Sequence, residues 1–170
     1  MAYIGDELNG KPLPNNLDWS RTEVVLVSGD FWNPCGHVLL FVGGGFGHYF
    51  QYATVSVYGF ATYIDSEANY KRFLFENKKI EFSRKRLTIP EPKKAEERLT
   101  KLMHNRWAYG LVVHNCATFT EEIVKAGGNF WDFPDACPRA GMNMRGWLDK
   151  VFGPSVVNNV LRMGAIQNAY

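Results

Sequence analysis

The chain predicts an α+β fold in which an antiparallel sheet from the N-terminal half packs against helices from the C-terminal half. Two observations predict it. Glycine-bounded runs of β-branched and aromatic residues recur up to Pro90, and the apolar period beyond Pro90 lengthens to that of a helix. With 170 residues, 46% of them hydrophobic and 15% aromatic, there is material for one well-filled core.

Taken in order, Thr22 to Ser28 (TEVVLVS) reads as a strand stopped by Gly29-Asp30. Gly36 to Val42 (GHVLLFV) reads as the next, closed by Gly43-Gly44-Gly45, which suggests a tight hairpin. His48 to Tyr58 and Lys79 to Ile89 continue the strand pattern, the latter with alternation of polar and apolar positions. After Pro90, Ala95, Leu99, Leu102 and Met103 fall on one face of a helix that Pro92 can start and that ends near Asn105. A second helix runs from Cys116 to Ala126, with Phe119, Ile123 and Val124 as its apolar stripe, Asn115 as N-cap and Gly127-Gly128 as its stop. Asn129 to Gly141 reads as a structured loop before two short helices near 144–151 and 155–163.

Composition excludes several function classes. A formal net charge of +2 gives no general field for nucleic acid. No segment reaches the roughly 20 apolar residues of a membrane span. The stretch from Met1 to Pro14 is polar and broken by glycine and proline, so no secretory signal is expected and the chain reads as cytoplasmic when synthesised. Three widely spaced cysteines make neither a disulfide framework nor a paired zinc site, and no metal or cofactor is expected.

The sharpest local feature is His114-Asn115-Cys116, which places a thiol in the first turn of an amphipathic helix. The unsatisfied N–H groups and positive dipole end there favour a thiolate, and the same N–H groups can serve an oxyanion. Taken alone, a lone cysteine is more often a small buried hydrophobe. A thiol nucleophile needs a base, and there are four histidines. His37 opens an apolar strand directly after Gly36, and His48 opens the next strand. For His37 alone, a hydrogen-bonded histidine at a strand end is the commoner reading. Hairpin order sets His37 and His48 far apart unless a wide loop or bulge intervenes, so spacing alone leaves their contact open. His114 is poorly placed to align with a thiol two residues away, and His104 reads as solvated or as a helix C-terminal cap.

The ordered combination of GHVLLFVG with His37, His48 eleven residues on, and HNCATFTEEIV with Cys116 resembles the circularly permuted papain-like cysteine hydrolases. That group includes the lecithin:retinol acyltransferase-like proteins and permuted relatives of the NlpC-type peptidases. The resemblance spans roughly Val24 to Gly127, and it implies one catalytic domain over 1–170, with a core of about 22–127 and a helical extension over about 128–170. It implies Cys116 as nucleophile, His37 as base and His48 as the residue that orients the base, with no metal required. Cys116 is followed by Ala117-Thr118-Phe119 where the acyltransferase branch commonly has Glu-His-Phe, and no long apolar anchor is present. Both departures favour an amidase or endopeptidase over a lipid enzyme.

The resemblance therefore implies hydrolysis of peptide cross-links of bacterial peptidoglycan. Without a leader, such an enzyme would leave by a signal-independent route, as a type VI secretion effector does, and would have a cognate immunity protein as partner. The alternatives are a thiol acyltransferase or phospholipase, a protein-directed protease or deamidase, and a binding module on the same shell. Cys35, two residues from His37, either packs beside the site or interferes with it, and Cys137 reads as structural. Trp32, Trp107, Tyr109 and Phe130 to Phe133 read mainly as core, and the basic residues Lys78, Lys79 and Arg84 to Arg86 as a solvated strand face with no role.

Overall fold

The computed structural model of the chain describes residues 2–8, 11–28, 36–54, 59–105 and 116–130. The two apolar runs of the N-terminal half pair with one another at the centre of a six-stranded antiparallel sheet. In chain order its strands are β1 (Asp6–Glu7), β2 (Asp18–Val27), β3 (His37–Gly43), β4 (His48–Thr54), β5 (Gly59–Ile64) and β6 (Glu81–Leu87). Across the sheet the order is β1-β5-β4-β3-β2-β6. Every residue of β3 is buried, as expected of an inner strand covered on both faces.

Side-chain alternation divides the core in two. Val24, Leu26, Val38, Leu40, Val42, Phe50 and Tyr52 share one cluster with the buried faces of α2 (Pro92–His104) and α3 (Cys116–Ala126). The buried residues of α2 are the four that the helical period selects, Ala95, Leu99, Leu102 and Met103. On the other face Val25, Val27, Leu39, Phe41, Tyr49 and Ile64 pack with Tyr70 and Phe73 of α1 (Glu67–Glu76). The architecture is α+β, as the sequence pattern predicts.

Three differences from the sequence reading have local causes. Between Tyr58 and Lys79 the pattern suggests no element, yet β5 and α1 lie here. α1 buries only Tyr70 and Phe73, so its apolar stripe is thin, and its start rests on the Ser66 hydroxyl accepting the Asn69 N–H at 3.1 Å. β1 is a two-residue edge whose pairing with β5 carries no pattern of its own. The hairpin between β3 and β4 is wider than a triple-glycine turn, and it is packed against the N-terminal segment. A Cβ on Gly44, whose φ is +106°, would come within 1.8 Å of the Asn16 carbonyl oxygen. The two short helices after residue 141, the end of the expected strand at 55–58, and the extension beyond residue 130 lie outside the described residues.

Candidate active site

The first turn of α3 meets the N-terminal end of β3. Cys116 opens the helix and is 7% exposed, and His37 opens the strand and is 8% exposed. Burial raises the Cys116 thiol above its ordinary range, while the backbone N–H groups of Val38, Ala117 and Cys116 itself bond to the sulfur and pull the other way. The Val38 N–H is free for this because the β3–β4 ladder stops early. Its register runs from Val42↔His48 to Leu40↔Phe50, although β3 continues to His37 and β4 to Thr54. The sulfur is thus bonded where β3 pairs with β2 alone, one residue from His37.

The helix N-terminus alone predicts a depressed thiol pKa, and here burial outweighs it. The donors at the sulfur are nevertheless those that a negatively charged sulfur or oxyanion would use.

His37 is fixed on its other side. Its Nε2 lies 2.5 Å from Gln51 Oε1, and Gln51 Nε2 donates to the Ile4 carbonyl at 2.6 Å. A carbonyl only accepts, so the second bond sets the amide with its NH₂ toward Ile4 and its oxygen toward the imidazole. His37 Nε2 therefore carries the proton, and Nδ1 is left with the basic lone pair. The Thr62 hydroxyl donates to the same Ile4 carbonyl at 3.1 Å. Gly5, at φ +106°, lets this carbonyl approach, since a Cβ there would meet Tyr63 O at 3.0 Å. Burial lowers the His37 pKa to about 4, opposed by the Gln51 bond and reinforced by the positive charge of Lys79. At neutral pH both the imidazole and the thiol are neutral.

His37 and Cys116 approach from different sides of the sheet. By alternation His37 shares the face of Leu39 and Phe41, whereas Cys116 packs with Val38 and Leu40 under α3. Cys116 reaches the strand's end at the Val38 N–H, and the imidazole and sulfur are not hydrogen-bonded to one another in this arrangement. A nucleophile and base often close this gap only when substrate is bound.

His48 is not brought to this site. It pairs with Val42, five positions along β3 from His37, or about 17 Å of strand, and on the opposite face. Its Nδ1 shares a 2.7 Å hydrogen bond with the Tyr63 hydroxyl, and its buried Nε2 has no partner among the described residues. The side chain beside the His37 ring, where the resemblance implies His48, is Gln51. Extending the hairpin register puts Leu39 opposite Gln51, which makes Gln51 the diagonal same-face neighbour of His37. The alternation signal for this was present in the sequence, but it needed the length of the glycine turn to fix the register.

His104 is exposed at the end of α2, where its Nδ1 bonds the Thr100 carbonyl at 2.6 Å. Cys35, Cys137, His114, Asn115, Trp32, Trp107, Tyr109 and 131–133 lie outside the described residues. Phe130 is 87% exposed and not core. Arg84 is held rather than solvated: it bonds Glu81 and the Tyr49 hydroxyl and lies over the rings of Phe41, Tyr49 and Tyr70. Among the described residues no group of three His, Cys, Asp or Glu side chains is placed to hold a metal ion, and no helix is long and apolar enough to cross a membrane.

Comparison with known proteins brings in no relative: no protein family, curated protein or solved structure matches the chain.

Proposed function

We propose that the chain is a thiol-dependent amidase or endopeptidase of permuted papain-like architecture, with Cys116 as nucleophile, His37 as base and Gln51 as the residue that orients the base. The observation that carries this reading is the shared end of β3 and α3. There a cysteine sulfur facing three backbone N–H donors lies one residue from a histidine whose tautomer is fixed by an amide.

In this reading His37 Nδ1 takes the Cys116 proton as the sulfur attacks an amide carbonyl. The N–H groups of Cys116 and Ala117 receive the oxyanion. Nδ1 then returns the proton to the leaving amine, and the C–N bond breaks to give a thioester. Water, deprotonated by Nδ1, attacks that thioester, and the proton passes to the departing sulfur. Gln51 keeps Nε2–H occupied throughout. Because the resting pair is neutral, proton transfer accompanies attack and does not precede it.

The choice of substrate rests on the sequence resemblance, which points to peptide cross-links of bacterial peptidoglycan. Delivery into rival cells and a cognate immunity protein belong to the same reading. The test is digestion of purified peptidoglycan by the wild-type protein and by Cys116→Ala, with products identified by mass. Fragments made only by the wild type support the reading. Absence of fragments from folded protein turns it toward other acyl substrates.

One observation favours a second reading. Cys116 and His37 are both more than nine-tenths buried, as in a binding module on which the thiol only packs. A Cys116→Ala variant that keeps every activity and ligand of the wild type would establish it.

A further inference from the structure

Beyond the first turn of α1, the sheet and the β3–β4 hairpin enclose an open bay of about 410 Å³, a volume within the range of small-ligand sites. It lies on the α1 face, away from Cys116, and at Gly43, the end of β3 opposite His37 and about 20 Å of strand from it. Its wall is tied in place. The Glu67 N–H donates to the Phe46 carbonyl at 3.3 Å, and the Gly47 N–H closes the hairpin on the Gly44 carbonyl at 2.9 Å. The buried Phe41 ring packs on Gly47 and the Arg21 stem on Gly43, where an added Cβ would come within 2.9 Å and 2.6 Å of them. Phe46, 86% exposed, stands at the mouth.

Charge is unevenly met in this bay. Glu81 grips Arg84 at Nε (2.6 Å) and Nη2 (3.0 Å), and Nη2 also donates to the Tyr49 hydroxyl at 2.9 Å. The guanidinium reaches Glu23 only at 3.4 Å and Glu67 only at 3.8 Å, so one cation faces three carboxylates. Arg86, opposite Glu23 across β2 and β6, turns instead to the Ser20 carbonyl at 3.2 Å. Arg21 has the converse need. It is exposed and makes no hydrogen bond or ion pair among the described residues, and Asp18, the carboxylate near it, is bonded by the N–H and hydroxyl of Ser20. We propose that the bay binds a small zwitterion of the amino-acid class, free or as a short peptide. Its ammonium group lies between Glu23 and Glu67, its carboxylate meets Arg21, and an apolar side chain lies against Phe41 and Phe46. Each end of such a ligand supplies the charge that its side of the bay lacks, and the fixed wall keeps the ordering cost low. The site is separate from Cys116 and stands whether or not the thiol is a nucleophile.

The test follows amide NMR spectra of the protein during titration with four probes. Leucine and leucylglycine are zwitterions, leucinamide lacks the anion, and N-acetylleucine lacks the cation. Leucine or leucylglycine shifts the Gly44, Gly45 and Gly47 amides saturably below about 10 mM, and the tighter of the two tells a free amino acid from a peptide. The two singly charged probes bind about three- to tenfold more weakly, as do the zwitterions to Glu23→Gln and to Arg21→Gln. Both variants change side chains that reach solvent, and their own spectra report that the fold is kept. No saturable shift with either zwitterion overturns the proposal without needing a variant. So does binding of leucinamide and N-acetylleucine as tight as that of the zwitterions, or binding that both variants leave unchanged.

Discussion

Gln51 accepts the Nε2 proton of His37 at 2.5 Å, and its own amide is held in that orientation by the Ile4 carbonyl. A segment near the N-terminus thus determines which nitrogen of a buried histidine on the central strand is basic.

Gln51→Leu removes the acceptor while keeping the volume, and leaves both the His37 N–H and one bond to Ile4 unpaired. We expect a stability loss of about 1–3 kcal/mol by denaturant unfolding, and a fall in any Cys116-dependent activity of about tenfold or more. Gln51→Glu keeps an acceptor and should raise the His37 pKa, which histidine NMR would detect. His48→Phe, by contrast, should leave that activity within about threefold. A loss with His48→Phe as large as with Gln51→Leu would return the orienting role to His48.

The pH dependence of stability follows from the depressed His37 pKa. Its folded value of about 4 lies below the ordinary value of 6.5, so the unfolded chain binds the proton more readily. This contribution is fully present above about pH 6.5 and is lost as pH falls through 6.5 toward 4, by up to about 3 kcal/mol. His48 is shifted in the same direction by burial, so it adds to the trend. Unfolding free energies of wild type and His37→Gln, measured from pH 7.5 to 4, should show a shallower dependence in the variant. Parallel curves would mean that His37 is not buried as described.

Gly44→Ala tests the turn that sets the β3–β4 register. The new Cβ would collide with the Asn16 carbonyl, and the φ of +106° strains any other residue. We expect a loss of at least about 2 kcal/mol by thermal or denaturant unfolding. A near-neutral effect would show that the N-terminal segment is not packed on this turn.

Much of the fold was legible because its signals are strong and local. The β-branched runs, the glycine stops and the four-residue stripe of α2 each specify an element without help from the rest of the chain. α1 escaped because it buries little and starts on a single serine cap, and β1 because a two-residue edge has no period to read. At the site, Cys116 and His37 stand out by residue type and place along their elements. Gln51 does not, since a glutamine in a strand is unremarked until the register shows it beside a histidine. The same register moves His48 away, because pairing with Val42 fixes both its distance from His37 and its face. The thiol pKa departs from the sequence expectation for a different reason: a helix N-terminus lowers it, burial raises it more, and a linear sequence does not display burial.

The central claim is that Cys116 forms an acyl-enzyme which His37 makes and breaks. Its most direct measurement is intact-protein mass spectrometry after brief exposure to peptidoglycan fragments, in wild type, Cys116→Ala and His37→Ala. The account predicts a transient mass increase in wild type that maps to Cys116, free peptide accumulating with time, and neither in the two variants. Peptide release that persists in Cys116→Ala would contradict it.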